Sequence, residues 1–126
     1  MSEEEKSKQK VLVVEDERLL LKTIAFKLSK ENFEVRTAGD GREAIKLLEE
    51  FTPDLVVSDV MMPFVNGLEL VKQVKDRFNN DVKVILLTSL GQDDTVMKAF
   101  ELGVDDFMTK PFSPTELTLR IKRLLK

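Results

Sequence analysis

The chain has 126 residues, 42% hydrophobic and 34% charged, with 20 basic against 23 acidic side chains and a net charge of −3. That length suits one domain with a substantial core, and the charge balance argues against a surface built for nucleic acid or anionic membrane. With neither cysteine nor histidine, the chain has no disulfide, no thiolate or imidazole ligand, and no imidazole base or phosphohistidine of its own. Any cation must be held by oxygen.

Residues 1–10 are charged and lack the apolar run of a signal peptide, so they are expected to form a flexible tail ahead of one domain over residues 11–126. No later run approaches the roughly 20 apolar residues of a membrane span, and a cytoplasmic protein is expected. From Val11 onward, short apolar runs alternate with stretches of helical spacing, the pattern of five βα units. Val11 to Val14 reads as the first strand, and Leu20, Ile24 and Leu28 mark the first helix. Phe33 to Thr37 is a mixed second strand, followed by a helix through Ala44, Ile45 and Leu48. Leu55 to Val57 is the third strand, with Val71, Val74 and Phe78 on the helix after it. Val84 to Leu87 is the fourth strand, and Val96, Ala99 and Phe100 lie on a fourth helix ending at Gly103. Asp105 to Thr109 is a mixed fifth strand, and a fifth helix carries Leu117, Ile121 and Leu124. Ser113 is placed as its N-cap, Pro114 in its first turn and Glu116 in a capping box.

Runs one, three and four are continuously apolar, as in strands covered by helices on both faces. The mixed second and fifth suit the edges. The strand order 2-1-3-4-5 follows, a flavodoxin-like parallel sheet with helices on both faces.

Ligands in such folds bind beyond the carboxyl ends of the strands, and each relevant run ends at a chemically distinct group. Glu15 and Asp16 follow the first, Asp59 the third and Thr88 the fourth, and Lys110 lies just past the fifth. Asp59 is the candidate nucleophile, since Pro63 and Gly67 make the following segment a loop. The alternative, that Asp59 caps the next helix, is disfavoured because that helix starts near Gly67. Glu15, Asp16 and Asp59 would repel one another unless a cation sat among them, and Mg²⁺ would relieve that repulsion. Asp16 or Glu17 could instead cap the first helix, and Thr88 or Ser89 the fourth. Lys110 could be an ordinary solvated lysine, but Pro111 after it makes the bond a candidate cis peptide that would fix the side chain's direction. Phe107 reads more readily as core than as a moving part.

At these residues the chain resembles the receiver domains of bacterial two-component response regulators, from about Val11 to the C-terminus. The resemblance implies that Asp59 accepts a phosphoryl group from a phosphohistidine on a sensor histidine kinase or histidine phosphotransfer protein. It implies Mg²⁺, with Mn²⁺ as a substitute, held by Asp16, Asp59 and the main-chain carbonyl of Met61, Glu15 acting mainly through water on the cation. It assigns Lys110 to the phosphoryl oxygens, and Thr88 and Phe107 to a switch that reshapes the face of the fourth helix, fifth strand and fifth helix. Two positions depart from the common pattern: Ser89 stands where alanine is frequent and Phe107 where tyrosine is frequent.

The rival class is a Mg²⁺-dependent phosphatase with an aspartyl nucleophile. Such enzymes usually place a second acid two residues after the nucleophile, where this chain has Met61. Flavin and nucleotide binding are disfavoured by the acidic loop after the first strand and by the lack of a glycine-rich phosphate motif. A phosphorylation-dependent homodimer is expected through Leu90, Met97 and Val104, taken as surface apolar residues, with Asp105, Asp106, Glu116, Arg120 and Lys122 as ion-pair partners. This stretch resembles receivers that pair through that face, although Val96 replaces a frequent basic residue. The fifth helix reaches the end of the sequence, so either a stand-alone docking regulator or the receiver part of a longer protein is expected.

Overall fold

In the computed structural model, which describes residues 8–89 and 93–126, five strands and five helices alternate along the chain. They are β1 (Lys10–Val14), α1 (Arg18–Lys30), β2 (Glu34–Ala38), α2 (Gly41–Leu48), β3 (Leu55–Asp59) and α3 (Gly67–Phe78). A short 3-10 turn (Asn79–Asp81) leads to β4 (Lys83–Thr88), α4 (Asp93–Glu101), β5 (Asp106–Thr109) and α5 (Pro114–Leu124). All pairings are parallel and the order is β2-β1-β3-β4-β5, the expected flavodoxin-like sheet.

Successive side chains of a strand point to opposite faces, so a strand covered on both sides must be apolar throughout. Leu12, Val14, Val56, Val84 and Leu86 pack on one face with Ala44 and Leu48 of α2, Leu70, Val71 and Val74 of α3, and Ala99 of α4. On the other face, Val11, Val13, Leu55, Val57, Ile85 and Leu87 pack with Ile24 and Leu28 of α1 and Leu117 and Ile121 of α5. Each fully buried aliphatic side chain contributes about 1.5–3 kcal/mol over an exposed one. The two layers therefore hold the strand ends of β1, β3 and β4 in fixed register.

Several expectations are corrected. The sheet begins at Lys10, not Val11: the Lys10 N–H donates to Asp54 Oδ2 at 2.7 Å, and the Gln9 carbonyl accepts from Glu34 N–H at 2.9 Å. Phe100, expected on the buried stripe of the fourth helix, is 56% exposed, and Ala99 carries that contact. Val104, expected on the surface, is buried, because its N–H bonds the Ala99 carbonyl and turns the side chain beneath α4 into the core.

The charged residues expected at an interface are largely engaged within the chain. Asp105 accepts from Lys75 Nζ at 2.7 Å and from Val84 N–H at 2.8 Å. Asp106 pairs with Arg120 at 3.1 Å and Arg123 at 3.4 Å. Lys122 pairs with Glu31 of α1 at 2.6 Å, and Glu116 lies 3.7 Å from Arg120. Met97 is exposed as expected, and Leu90 lies outside the described residues.

Gly67 opens α3 directly beneath the end of β3. Its N–H donates to the Val60 carbonyl at 2.8 Å, and a Cβ there would collide with the Asp59 carbonyl oxygen and lie 2.8 Å from Val60 Cα. Gly67→Ala is therefore expected to cost about 1–3 kcal/mol through forced backbone shifts. Urea unfolding followed by far-ultraviolet circular dichroism checks this, and an unchanged midpoint would contradict it.

Candidate functional site

The register of the sheet brings the acids together. Val14, the last residue of β1, lies opposite Ser58 of β3, so Glu15 and Asp59, the next residue along each segment, meet at the carboxyl edge. Carboxylate oxygens of Glu15, Asp16 and Asp59 all lie within 4.8 Å of one another. Glu15 is 1% exposed and Asp59 7%, while Asp16 is open to solvent.

Lys110 reaches this cluster from the far end of β5. Its Nζ donates to Glu15 Oε1 and to Asp59 Oδ2, each at 2.9 Å. The Lys110 N–H donates to the Thr88 carbonyl at 2.6 Å, tying the loop after β5 to the end of β4. The Lys110–Pro111 peptide is cis. Lys110 is thus an ion-pair partner inside the site, not a solvated surface lysine.

Burial pushes the Glu15 carboxyl above its ordinary pKa, and the charge of Asp59 adds to the effect. Hydrogen bonds from Lys110 and the Glu17 N–H oppose this without cancelling it. For Lys110, burial disfavours the ammonium, but hydrogen bonds and charges from Asp59 and Glu15 together outweigh it and raise the pKa. One ammonium among three carboxylates leaves negative charge uncompensated in a partly dry crevice, where repulsion is stronger than in water. An all-oxygen donor set of this kind fits a hard divalent cation such as Mg²⁺.

The capping alternatives fall away where they can be read. Glu17 is the N-cap residue of α1 but makes no side-chain capping bond. Asn66 caps α3 by accepting from Glu69 N–H at 2.9 Å, which leaves Asp59 free of that duty. Ser113 caps α5 as expected, accepting from Glu116 N–H at 3.3 Å, while the Glu116 carboxylate turns toward Arg120. The turn that Thr88 or Ser89 would cap lies outside the described residues.

Thr88 is buried at the end of β4, one residue past Leu87, the cross-strand partner of Asp59. Its hydroxyl donates to the Ser89 carbonyl at 3.4 Å. Met61, two residues beyond Asp59 in the β3–α3 loop, is 64% exposed. Phe107 lies opposite Leu86, half-buried, with its ring centroid 6.3 Å from that of Phe100.

Two residues near the site escaped sequence reasoning. The Arg42 guanidinium of α2 lies 3.9 Å from the Phe64 ring centroid in the β3–α3 loop. Nothing local in the sequence links them, because the contact exists only once α2 and the loop are packed together.

A family model for the response regulator receiver domain matches residues 11–122. The alkaline phosphatase synthesis transcriptional regulatory protein PhoP of Bacillus subtilis (strain 168) is 39% identical over 118 residues, 94% of this chain and 49% of that protein. The BeF3-activated DrrB receiver domain superposes with a TM-score of 0.84 at 39% identity, covering 94% of this chain and 98% of that one. A CheY-like receiver domain protein from Methanospirillum hungatei JF-1 gives a TM-score of 0.90 at 25% identity, covering 94% of each chain. The chain belongs to the response regulator receiver domains, a family of two-component signalling modules. It spans about half the length of the curated relatives it matches.

Removing the lysine would leave two buried acids facing each other without a counter-charge. Lys110→Met is expected to destabilise the cation-free protein by about 1–3 kcal/mol, the cost of unsatisfied buried polar groups. Urea denaturation in the presence of a chelator measures this, and a midpoint equal to the parent's would contradict it.

Proposed function

We propose that Asp59 accepts a phosphoryl group from a phosphohistidine on a sensor histidine kinase or a histidine phosphotransfer protein. The observation that carries this is the Lys110 ammonium, 2.9 Å from both Asp59 and Glu15, within a cluster of three acids. An Asp59 carboxylate oxygen attacks phosphorus, forming an O–P bond as the N–P bond of the donor breaks. The electron pair of that bond leaves on the imidazole nitrogen, and the product is an acyl phosphate. Lys110 moves with the incoming charge from the carboxylate to a phosphoryl oxygen, as a point charge on a flexible stem suits it to do. Asp16, Asp59 and the Met61 carbonyl would hold Mg²⁺ or Mn²⁺, with Glu15 in the outer sphere. When bound, the cation neutralises charge that would otherwise repel the donor.

The Thr88 hydroxyl, which donates to the adjacent Ser89 carbonyl at a long 3.4 Å, turns to donate to the phosphoryl group. Phe107 then moves inward, and the surface formed by α4, β5 and α5 changes. Met97 and Phe100, both exposed, supply the apolar centre of a phosphorylation-dependent homodimer on this face. Its charged rim of Asp106, Glu116, Arg120 and Lys122 must exchange internal pairs for intermolecular ones.

A cytoplasmic location belongs to this reading, because the phosphodonors it invokes act there; separately, no helix among the described residues is long and apolar enough to cross a membrane. Relatives named as transcriptional regulators are about twice as long, which supports an output in transcription through a domain outside this sequence.

Acetyl phosphate with Mg²⁺ is expected to add one phosphoryl group per chain, on Asp59, read by intact and peptide mass spectrometry. The gain should vanish in Asp59→Asn and in chelator. Steady release of phosphate from diverse monoesters would favour the phosphatase instead. Sedimentation with beryllofluoride and Mg²⁺ is expected to show a dimer, and an unchanged monomer would contradict the proposed pairing.

A further inference from the structure

Two residues beside the site break local rules, and they break them against each other. Arg42 is the second residue of α2, a place where a cation meets the positive end of the helix dipole. Among the described residues it forms no ion pair with a carboxylate. Phe64 has φ of 70°, a left-handed conformation that a bulky side chain rarely adopts. The residue is 68% exposed, with the Arg42 guanidinium 3.9 Å from its ring centroid. Locally unfavourable choices that meet in one contact, on the loop that follows Asp59, are the kind retained at functional sites.

The rest of the loop shows what the contact holds. Gly41 abuts Val65 so closely that a Cβ would collide with the Val65 carbonyl oxygen and lie 2.6 Å from Val65 Cβ. The Gly67 N–H bonds the Val60 carbonyl at 2.8 Å, and the Val65 N–H bonds the Pro63 carbonyl at 2.9 Å. The Val60 N–H bonds the Leu87 carbonyl of β4 at 2.9 Å. The N-terminus of α2 and residues 60–67 thus form one packed unit, and Phe64, three residues past Met61, is its outer fastening.

We infer that Arg42 is a positioning residue for the Asp59 site, acting through Phe64 to hold the β3–α3 loop and with it the Met61 carbonyl. This rests on the reading that the Met61 carbonyl is a ligand of Mg²⁺. Arg42 itself touches neither cation nor phosphoryl group. Its planar guanidinium stacks on the aromatic face in a way that an ammonium does only in part.

The test is Mg²⁺ titration by isothermal calorimetry of the parent, Arg42→Ala, Phe64→Gly, the double variant and Arg42→Lys. Each of the first two single variants is expected to weaken Mg²⁺ binding about two- to fivefold, the range of one exposed cation–π contact. The double variant should bind no more weakly than either single one, because both remove the same contact. Arg42→Lys should fall between Arg42→Ala and the parent. Amide shifts of residues 60–65 should move in Arg42→Ala while the urea midpoint in chelator falls by no more than one exposed cation–π contact accounts for. Acetyl phosphate labelling should need more Mg²⁺ yet reach the parent's rate at saturation. Parent-like Mg²⁺ affinity in both Arg42→Ala and Phe64→Gly, or additive losses in the double variant, would overturn the inference while leaving the phosphoacceptor reading intact. A parent protein that binds no Mg²⁺ would instead overturn the reading itself, and this inference with it.

Discussion

A single ammonium held between buried carboxylates is the constraint on which the structure turns. Glu15 and Asp59 leave water at the ends of adjacent strands, and each would be costly there without a partner. Lys110 supplies the partner from the other side of β4, and it can do so only if β1, β3, β4 and β5 keep their order and register. The apolar layers on both faces of the sheet are what keep them. Core packing and site chemistry are therefore one problem: the helices that make the sheet rigid also hold the acids close enough to conflict. That conflict is only partly resolved by one positive charge, so the cluster keeps an excess of negative charge of the kind a hard divalent cation offsets.

The same contacts connect the site with a distant face. Lys110 is bonded through its backbone to Thr88, while Phe107 lies three residues before Lys110 on the strand beside β4. The ends of β4 and β5 are thereby joined by a backbone hydrogen bond directly beside the acidic cluster. Asp106, next to Phe107, holds Arg120 and Arg123 of α5. Strand and helix on that face are thus already clamped together. An interface built there must compete with these internal pairs, which are partly exposed and individually weak, and weak pairs are the ones a small rearrangement can exchange.

The β3–α3 loop adds a second layer of support. Asp59 is fixed by its strand, but Met61 and Phe64 lie beyond the ladder, where backbone geometry depends on packing. Gly67 permits α3 to approach the Asp59 carbonyl, and the start of α2 closes over Val65. The left-handed Phe64 shows that this packing prevails over local preference.

Much of this protein was legible in its order of residues, for a physical reason. Strands covered on both faces must be continuously apolar, and mixed runs must lie at edges, so Val11 to Val14, Leu55 to Val57 and Val84 to Leu87 declare the sheet order. The carboxyl edge then follows, and with it the gathering of Glu15, Asp16, Asp59 and Lys110, with Thr88 at the end of the neighbouring strand. Properties that depend on which side chains meet across the fold were not legible. Whether Val104 is inside and Phe100 outside is settled by the angle at which the chain leaves α4. That Asp105 answers Lys75, and Lys122 answers Glu31, depends on helix positions that no local pattern encodes. The stack of Arg42 on Phe64 exists only because α2 and the β3–α3 loop are pressed together, long-range packing that one-dimensional periodicity does not carry.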